Sequence, residues 1–210
     1  DCVYCEVDRK TPGRATSVNL DQLRDELQWL IRFCRAGGLL SDPKFAEVPY
    51  PIATTVRDIA FSGDGEPTMI PNFSACVQVA ADVKRAEGLS DTKLVLISDA
   101  AGLDKLDVKR GLEILDANQG EIWSKLDAGT EAYFRTVNRS FIRFERILKN
   151  LAETARVRPI IIQSLFLKVR GEAMPAAELE RWIGARAGHS SMAQTRNQPE
   201  HEPPVMPRLH

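Results

Sequence analysis

KLVLISDAAGLDKLDVKRGLEILDANQGEIWSKLDAG, residues 93–129, is the stretch that decides the fold. Lys93 to Ser98 has a nearly continuous apolar centre, the pattern of a strand buried on both faces. Residues 104–117 carry apolar side chains at helical spacing, and Glu121 to Leu126 reads as a second strand that ends at Asp127-Ala128-Gly129. Strand, helix and strand in so short a span make a βα unit with parallel strands and a right-handed crossover.

The alternation extends in both directions. Upstream, Val56 to Phe61 is a short β-prone run that enters a glycine-rich turn, Ser62-Gly63-Asp64-Gly65-Glu66-Pro67-Thr68, and then a helix with Phe73, Val77, Ala80 and Val83 inward and Gly88 at its end. Before it, Leu20, Leu23, Leu27, Leu30/Ile31 and Cys34 mark a helix. Asn19 with Gln22 resembles a capping box, and Gly37-Gly38 stops that helix. Pro43 to Pro51 reads as loop. Downstream, Thr130 caps a short helix and Ser140 a longer one with Phe144, Ile147/Leu148 and Leu151 inward. Pro159 to Val169 reads as a fourth strand, and Pro175 starts a last helix carrying Leu179, Trp182 and Ile183. Such an order builds either a doubly wound sheet or part of a barrel. In both, function collects in the loops after the strands: Ser62–Thr68, Ser98–Gly102, Asp127–Thr130 and the stretch around Lys168–Gly171. No internal repeat is visible.

Composition excludes several classes. The 210 residues are 43% apolar and 27% charged, enough for a sizeable core without disulfides or metals. The net charge of −1 argues against a polybasic nucleic-acid or membrane-surface protein, while leaving room for a local basic patch. No apolar run approaches the roughly 20 residues of a membrane span. No basic-then-apolar leader opens the chain, and four cysteines are not a secreted disulfide scaffold, so a reducing cytoplasm is the expected compartment. The three histidines, His189, His201 and His210, all lie in the last stretch. A Ser-His-Asp or Cys-His system therefore has no base in the body, and a His-rich zinc site has no ligands there. Chemistry must rest on carboxylates, lysines, thiolates or a bound cofactor.

The ends are unusual. The chain opens at Asp1 directly inside the motif Asp1-Cys2-Val3-Tyr4-Cys5, which reads as a fragment whose beginning is missing. Residues 1–188 are expected to form the folded core. Residues 189–210 hold four of the twelve prolines and no periodicity. They are expected to be disordered, and a non-native tail from a truncation or reading-frame change is one hypothesis for their origin.

Three motifs carry chemistry. Cys2-x-x-Cys5 can clasp one metal, belong to an iron–sulfur cluster or form a redox dithiol. Cys34 and Cys76 sit mid-helix on apolar faces, where a buried structural role is favoured. The 62–68 turn combines two glycines that permit close backbone approach with an acceptor, Glu66; its plainer reading is a tight βα turn with solvated acids. It is neither a P-loop nor a GxGxxG loop. Lys125-Leu126-Asp127-Ala128-Gly129 places a cation, an anion and a glycine at a strand end; the plainer reading makes Asp127 a helix cap. Arg135 reads as solvated, whereas Asn138-Arg139 could reach back to the mouth.

Together, Cys2-Val3-Tyr4-Cys5, Phe61-Ser62-Gly63-Asp64-Gly65-Glu66-Pro67-Thr68, and Lys125-Leu126-Asp127-Ala128-Gly129 with Phe134-Arg135-x-x-Asn138-Arg139 resemble the radical S-adenosylmethionine (SAM) family. The resemblance is to its iron–sulfur oxidoreductase branch related to the tRNA wybutosine-synthesis enzymes, and it runs from residue 1 to about 183. It implies a partial (βα)6 TIM-like barrel that lacks the first strand and the last, and a 4Fe-4S cluster on a CxxxCxxC loop. The amino and carboxylate groups of SAM chelate the fourth iron, and one electron cleaves the sulfonium to a 5′-deoxyadenosyl radical that abstracts hydrogen from a substrate. The cofactor thus carries the hard step.

By position, Cys2 and Cys5 match the second and third cluster ligands, and Tyr4 the aromatic position beside the cluster and adenine. Gly63, Gly65 and Glu66 match the turn that receives the SAM amino group. Ser98 matches the next strand end, Lys125 and Asp127 the polar end near ribose and carboxylate, and Gln163 is a further candidate. The resemblance also implies an electron donor such as flavodoxin or ferredoxin, and tRNA as a substrate by analogy. The first cysteine would fall three residues before Asp1. The family's Gly-Gly-Glu is Asp64-Gly65-Glu66 here, and its Thr-Asn-Gly is Ser98-Asp99-Ala100. Two other readings stay open: a barrel hydrolase using Glu66 and Asp127, whose carboxyls need lie only about 5–10 Å apart, and a non-catalytic truncated relative.

Overall fold

Helix α1 (Leu20–Arg35) starts where Asn19 Oδ1 accepts the backbone N–H groups of Asp21 and Gln22, each at 3.1 Å. Gln22 bonds Glu26 instead of reaching back, so only half of the expected capping box forms. The helix ends at Gly37, whose φ of +81° is left-handed backbone that glycine accepts freely. This computed structural model describes residues 2–7 and 16–187; the tail, 189–210, lies outside the described residues.

Four strands follow, each separated by helix: β1 (Asp58–Phe61), β2 (Lys93–Ser98), β3 (Gly120–Lys125) and β4 (Ile161–Gln163). Before β1 lies α2 (Tyr50–Ala53); between the strands lie α3 (Phe73–Ala86), α4 (Leu106–Asp116), α5 (Glu131–Asn138) and α6 (Phe144–Val157), with α7 (Ala176–Ala187) last. The strands pair in the order β1-β2-β3-β4, all parallel. A doubly wound sheet reverses direction at a switch point; this sheet advances one way across its four described strands, as the wall of a barrel does. Among the described residues its two edges, β1 and β4, are open, and no closed barrel is formed.

Register and the period of two assign the two faces. Ile59 and Phe61 align with Leu94 and Leu96, and Leu96 and Ser98 with Ile122 and Ser124. This row meets the helices: the Phe61 ring lies edge-on to Phe73 of α3 at 5.8 Å, and Leu94 and Leu96 are fully buried. Phe73, Val77, Ala80 and Val83 of α3 are all buried, as the sequence predicts. Phe73, Val77 and Val83 each contribute roughly 1.5–3 kcal/mol, and the Ala80 methyl less. The opposite face carries Lys93, Val95, Ile97, Glu121, Trp123, Lys125 and Gln163. There Lys93 pairs with Glu121, and Trp123 Nε1 donates to the same carboxylate at 3.0 Å.

Several expectations change. The fourth strand covers only Ile161–Gln163, not 159–169. Leu126 N–H reaches Gln163 O at 3.0 Å, but the next groups turn to other partners: Ser164 Oγ to Leu126 O, and Leu165 N–H to Asp127 Oδ1 at 2.9 Å. Ser140 does not cap α6. The cap position is Arg143, and the first free N–H, on Phe144, goes to Glu131 Oε2 at 2.6 Å. In α7 the buried stripe is Glu178 and Trp182, while Leu179 and Ile183 are 40% and 51% exposed. The 43–51 loop ends in the single helical turn of α2. No described helix is long and apolar enough to cross a membrane.

Candidate functional site

The cysteine turn is closed by Cys5 N–H on Cys2 O at 3.0 Å and fixed to the end of α5 by Val3 N–H on Val137 O at 2.8 Å. Both cysteines are half-buried. Asp127, 3% exposed just past β3, holds the turn from the sheet side. Its Oδ2 accepts Tyr4 Oη–H and, at 3.2 Å, Asn138 Nδ2–H; its Oδ1 accepts Leu165 N–H. Asn138 Nδ2 also lies 3.4 Å from Cys2 Sγ. Asp127 is therefore not the cap of α5; Thr130 is, through Oγ1 and Tyr133 N–H at 3.2 Å. Burial, and then the hydrogen bond to Asp127, push the Tyr4 phenol well above its ordinary range, so it stays a donor.

A second cluster forms at the ends of β1 and β2. Glu66 Oε1 accepts Thr68 N–H (3.1 Å), Thr68 Oγ1–H (2.6 Å) and Ser98 Oγ–H (2.7 Å), and Oε2 accepts Asp99 N–H (2.7 Å). Ser98 is 1% exposed; its hydroxyl donates to Glu66 and accepts Ala100 N–H, so it helps to fix the acid. Gly63 and Gly65 border this cluster. A Cβ on either would meet nothing within 4 Å, and Gly63 has φ +147°, so the turn leaves its backbone open to close approach. Strands lie about 4.8 Å apart, which puts the Glu66 and Asp127 clusters roughly 10 Å from each other along one edge.

Asp99 is a member that the motifs did not single out as a site residue. Desolvation, and then the neighbouring Glu66 carboxylate, push its carboxyl up to about 7, although the residue keeps contact with solvent. A raised carboxyl favours folding below its ordinary value of 3.8, and that contribution is lost as pH rises through 7. Solvent screening cuts the size to about 1 kcal/mol. Asp99→Asn, which retains an acceptor for Ala101 N–H, is expected to flatten the fall in stability between these pH values and to be the more stable protein above neutrality, as urea unfolding at several pH values would read.

Lys125 and Gln163 sit opposite each other in register on the face away from the helices. The Lys125 side chain makes no hydrogen bond or ion pair among the described residues. Glu178, another unexpected member, is buried and takes Gly129 N–H (2.6 Å), Thr130 N–H (2.8 Å) and Thr130 Oγ1–H (2.7 Å). Its only sequence signal is a place four residues before Trp182, on the same helical stripe. Arg135, bonded to Glu131 and Ser140 O, faces outward as expected. Cys76 is buried in α3, in keeping with a structural role.

Cysteine sulfurs are the donors iron–sulfur clusters take, and Cys2 and Cys5 present two on one turn. Among the described residues, no group of three or more His, Cys, Asp or Glu side chains is placed to hold a metal ion. The pair thus fits two positions of a cluster set and does not complete one. The open glycine turn, and the buried Asn138 Oδ1, which has no hydrogen-bond partner among the described residues beside the cysteines, fit a ligand at the mouth.

No protein-family model and no curated protein matches the chain. Among solved structures it is similar to archaeal TYW1, with a TM-score of 0.54 and 13% identity over 88% of this chain and 58% of that chain. At this identity the likeness shows a shared fold. The chain spans less than two thirds of the length of that relative.

Proposed function

We propose that this chain is the larger part of a radical SAM enzyme core, with its sheet forming the wall of a partial (βα)6 barrel. The single observation that carries the reading is the convergence of Cys2, Tyr4, Asn138 and Asp127 at the carboxyl end of β3, the edge where α/β proteins do their chemistry. The fold likeness to archaeal TYW1 supports the same family relation.

A bound 4Fe-4S cluster with SAM would supply one-electron cleavage of a sulfonium at this mouth. Cys2 and Cys5 would hold two irons. Glu66, fixed by four donors, would accept the SAM amino group, which approaches over Gly63 and Gly65. Lys125 would present its ammonium to a carboxylate or ribose, with Gln163 beside it. Tyr4, its phenol protonated, would shield the cysteine turn from water. An electron donor of the flavodoxin or ferredoxin type and an unidentified substrate, with tRNA as the analogy, complete the proposal. The hydrolase reading has less support, because both oxygens of Glu66 and of Asp127 are engaged by the fold and neither is free to act as a general acid.

Anaerobic reconstitution of the chain carrying a cysteine three residues before Asp1 tests this. The expected product is a brown protein with four irons per chain that binds SAM in equilibrium dialysis, and Cys2→Ala or Cys5→Ala should lose most of the iron. A cysteine-restored chain that takes up no iron would overturn the reading.

A further inference from the structure

We propose that Asn138 is a positioning residue that donates one N–H to Asp127 and the other to the Cys2 sulfur, and so biases the electron affinity of whatever iron–sulfur centre Cys2 holds. The redox half of this inference rests on the function proposed above. The contact itself does not.

Asn138 is the last residue of α5, and Arg139, with φ +49°, turns the chain out of the helix immediately after it. The same helix end offers Val137 O to Val3 N–H. One backbone bond and one side chain therefore hold the residues on either side of the Cys2–Val3 peptide. The amide has two donors on Nδ2 and one acceptor, Oδ1. Nδ2 lies 3.2 Å from Asp127 Oδ2 and 3.4 Å from Cys2 Sγ. Both of these are acceptors, and the carboxylate is negatively charged. Turning the amide over would set Oδ1 against that carboxylate, so the hydrogen-bond network allows one orientation. In it, Oδ1 is buried with no partner among the described residues, an arrangement that costs stability unless something at the mouth completes it. Asp127 is itself held by Leu165 N–H and Tyr4 Oη–H, so the amide is anchored on the sheet and aimed at the sulfur.

The consequence is a sign. Around Cys2 lie the Asp127 carboxylate and the carbonyl end of α5, both of which disfavour added negative charge. An N–H directed at a ligand sulfur favours it. Hydrogen bonds to cluster sulfurs set the potential, so losing this one should make the [4Fe-4S]2+/1+ couple, which takes one electron from the titrating reductant, harder to reduce.

Two measurements test the inference. In the iron-free, 15N-labelled chain, Cys2→Ala is expected to shift one of the two Asn138 Nδ2 proton resonances, leave the one held by Asp127 in place, and be partly reversed in Cys2→Ser, whose hydroxyl can accept. In the reconstituted, cysteine-restored chain, Asn138→Leu is expected to keep its iron content and to show a more negative midpoint potential by EPR-monitored titration. Resonances that ignore Cys2 would overturn the contact, whatever the cluster does. Equal midpoints at equal iron would overturn the redox role. A cysteine-restored chain with Asn138 intact that takes no cluster overturns the redox half together with the proposed function, while the resonances still decide the contact.

Discussion

Gly129→Ala is expected to lower stability by about 3–5 kcal/mol, among the larger effects a single methyl can have. The reason is geometric. A Cβ at this position would lie 2.3 Å from Trp182 N, 2.6 Å from Glu178 O and 2.8 Å from Arg181 C, all backbone atoms of α7. Rotamer changes cannot relieve contacts with backbone, so the whole helix must withdraw. With it would go the Glu178 carboxylate that takes three donors from Gly129 and Thr130, and the Trp182 Nε1–H bond to Leu126 O at 2.8 Å. Gly184→Ala is the control: it stands on the same helix with nothing within 4 Å, and alanine there should add about 0.5–1 kcal/mol. At roughly 2–4 °C per kcal/mol for a chain of this size, the two variants should melt well over 6 °C apart by far-ultraviolet circular dichroism. A Gly129→Ala protein within about 1 kcal/mol of wild type would show that α7 does not dock as described.

The sequence exposes periodic and local features best, and long-range pairing least. Lys93–Ser98 and Phe73–Ala86 are legible because an unbroken apolar run and a 3.6-residue stripe each allow one structure. Thr130 is legible as a cap because its partner, Tyr133 N–H, is three residues away. Pro159–Val169 misleads for the opposite reason. Its β-prone composition continues, but at Ser164 and Leu165 the backbone and side chain find partners across 38 residues, in Leu126 and Asp127. Leu179 and Ile183 look like a core stripe, yet the stripe one residue back, Glu178 and Trp182, is the buried one, because a carboxylate that meets three donors at the mouth is worth burying. The same limit applies to the site. CxxC, the glycine turn and the DAG strand end are visible as separate motifs; that Asn138 joins the first to the third is not, since the joining contacts span 136 and 11 residues. Asp99 is visible only as the residue standing where a family pattern has asparagine.

Asp127→Ala is expected to cost about 3–5 kcal/mol and to release the cysteine turn from the sheet. The carboxylate is buried and serves three donors from three parts of the chain: Tyr4 Oη–H, Asn138 Nδ2–H and Leu165 N–H. Alanine removes this acceptor from all three, and the loss of a charged acceptor costs more than the loss of a neutral one. Asp127→Asn keeps one oxygen and should fall between alanine and wild type. Tyr4→Phe removes a single donor and should cost about 1–2 kcal/mol. Alkaline pH separates these roles. The Tyr4 phenol titrates above its ordinary 10.0 in the folded chain, because of burial first and Asp127 second. Its contribution is therefore complete below that value and is lost as pH rises past it. Wild type should lose stability across that range faster than Tyr4→Phe, with Asp127→Ala in between, since burial remains when the carboxylate is gone. Guanidinium unfolding at neutral pH and above pH 10 reads both effects. If Asp127→Ala retained wild-type stability at neutral pH, the tie between the cysteine turn and β3, and with it the geometry on which the proposed site depends, would fail.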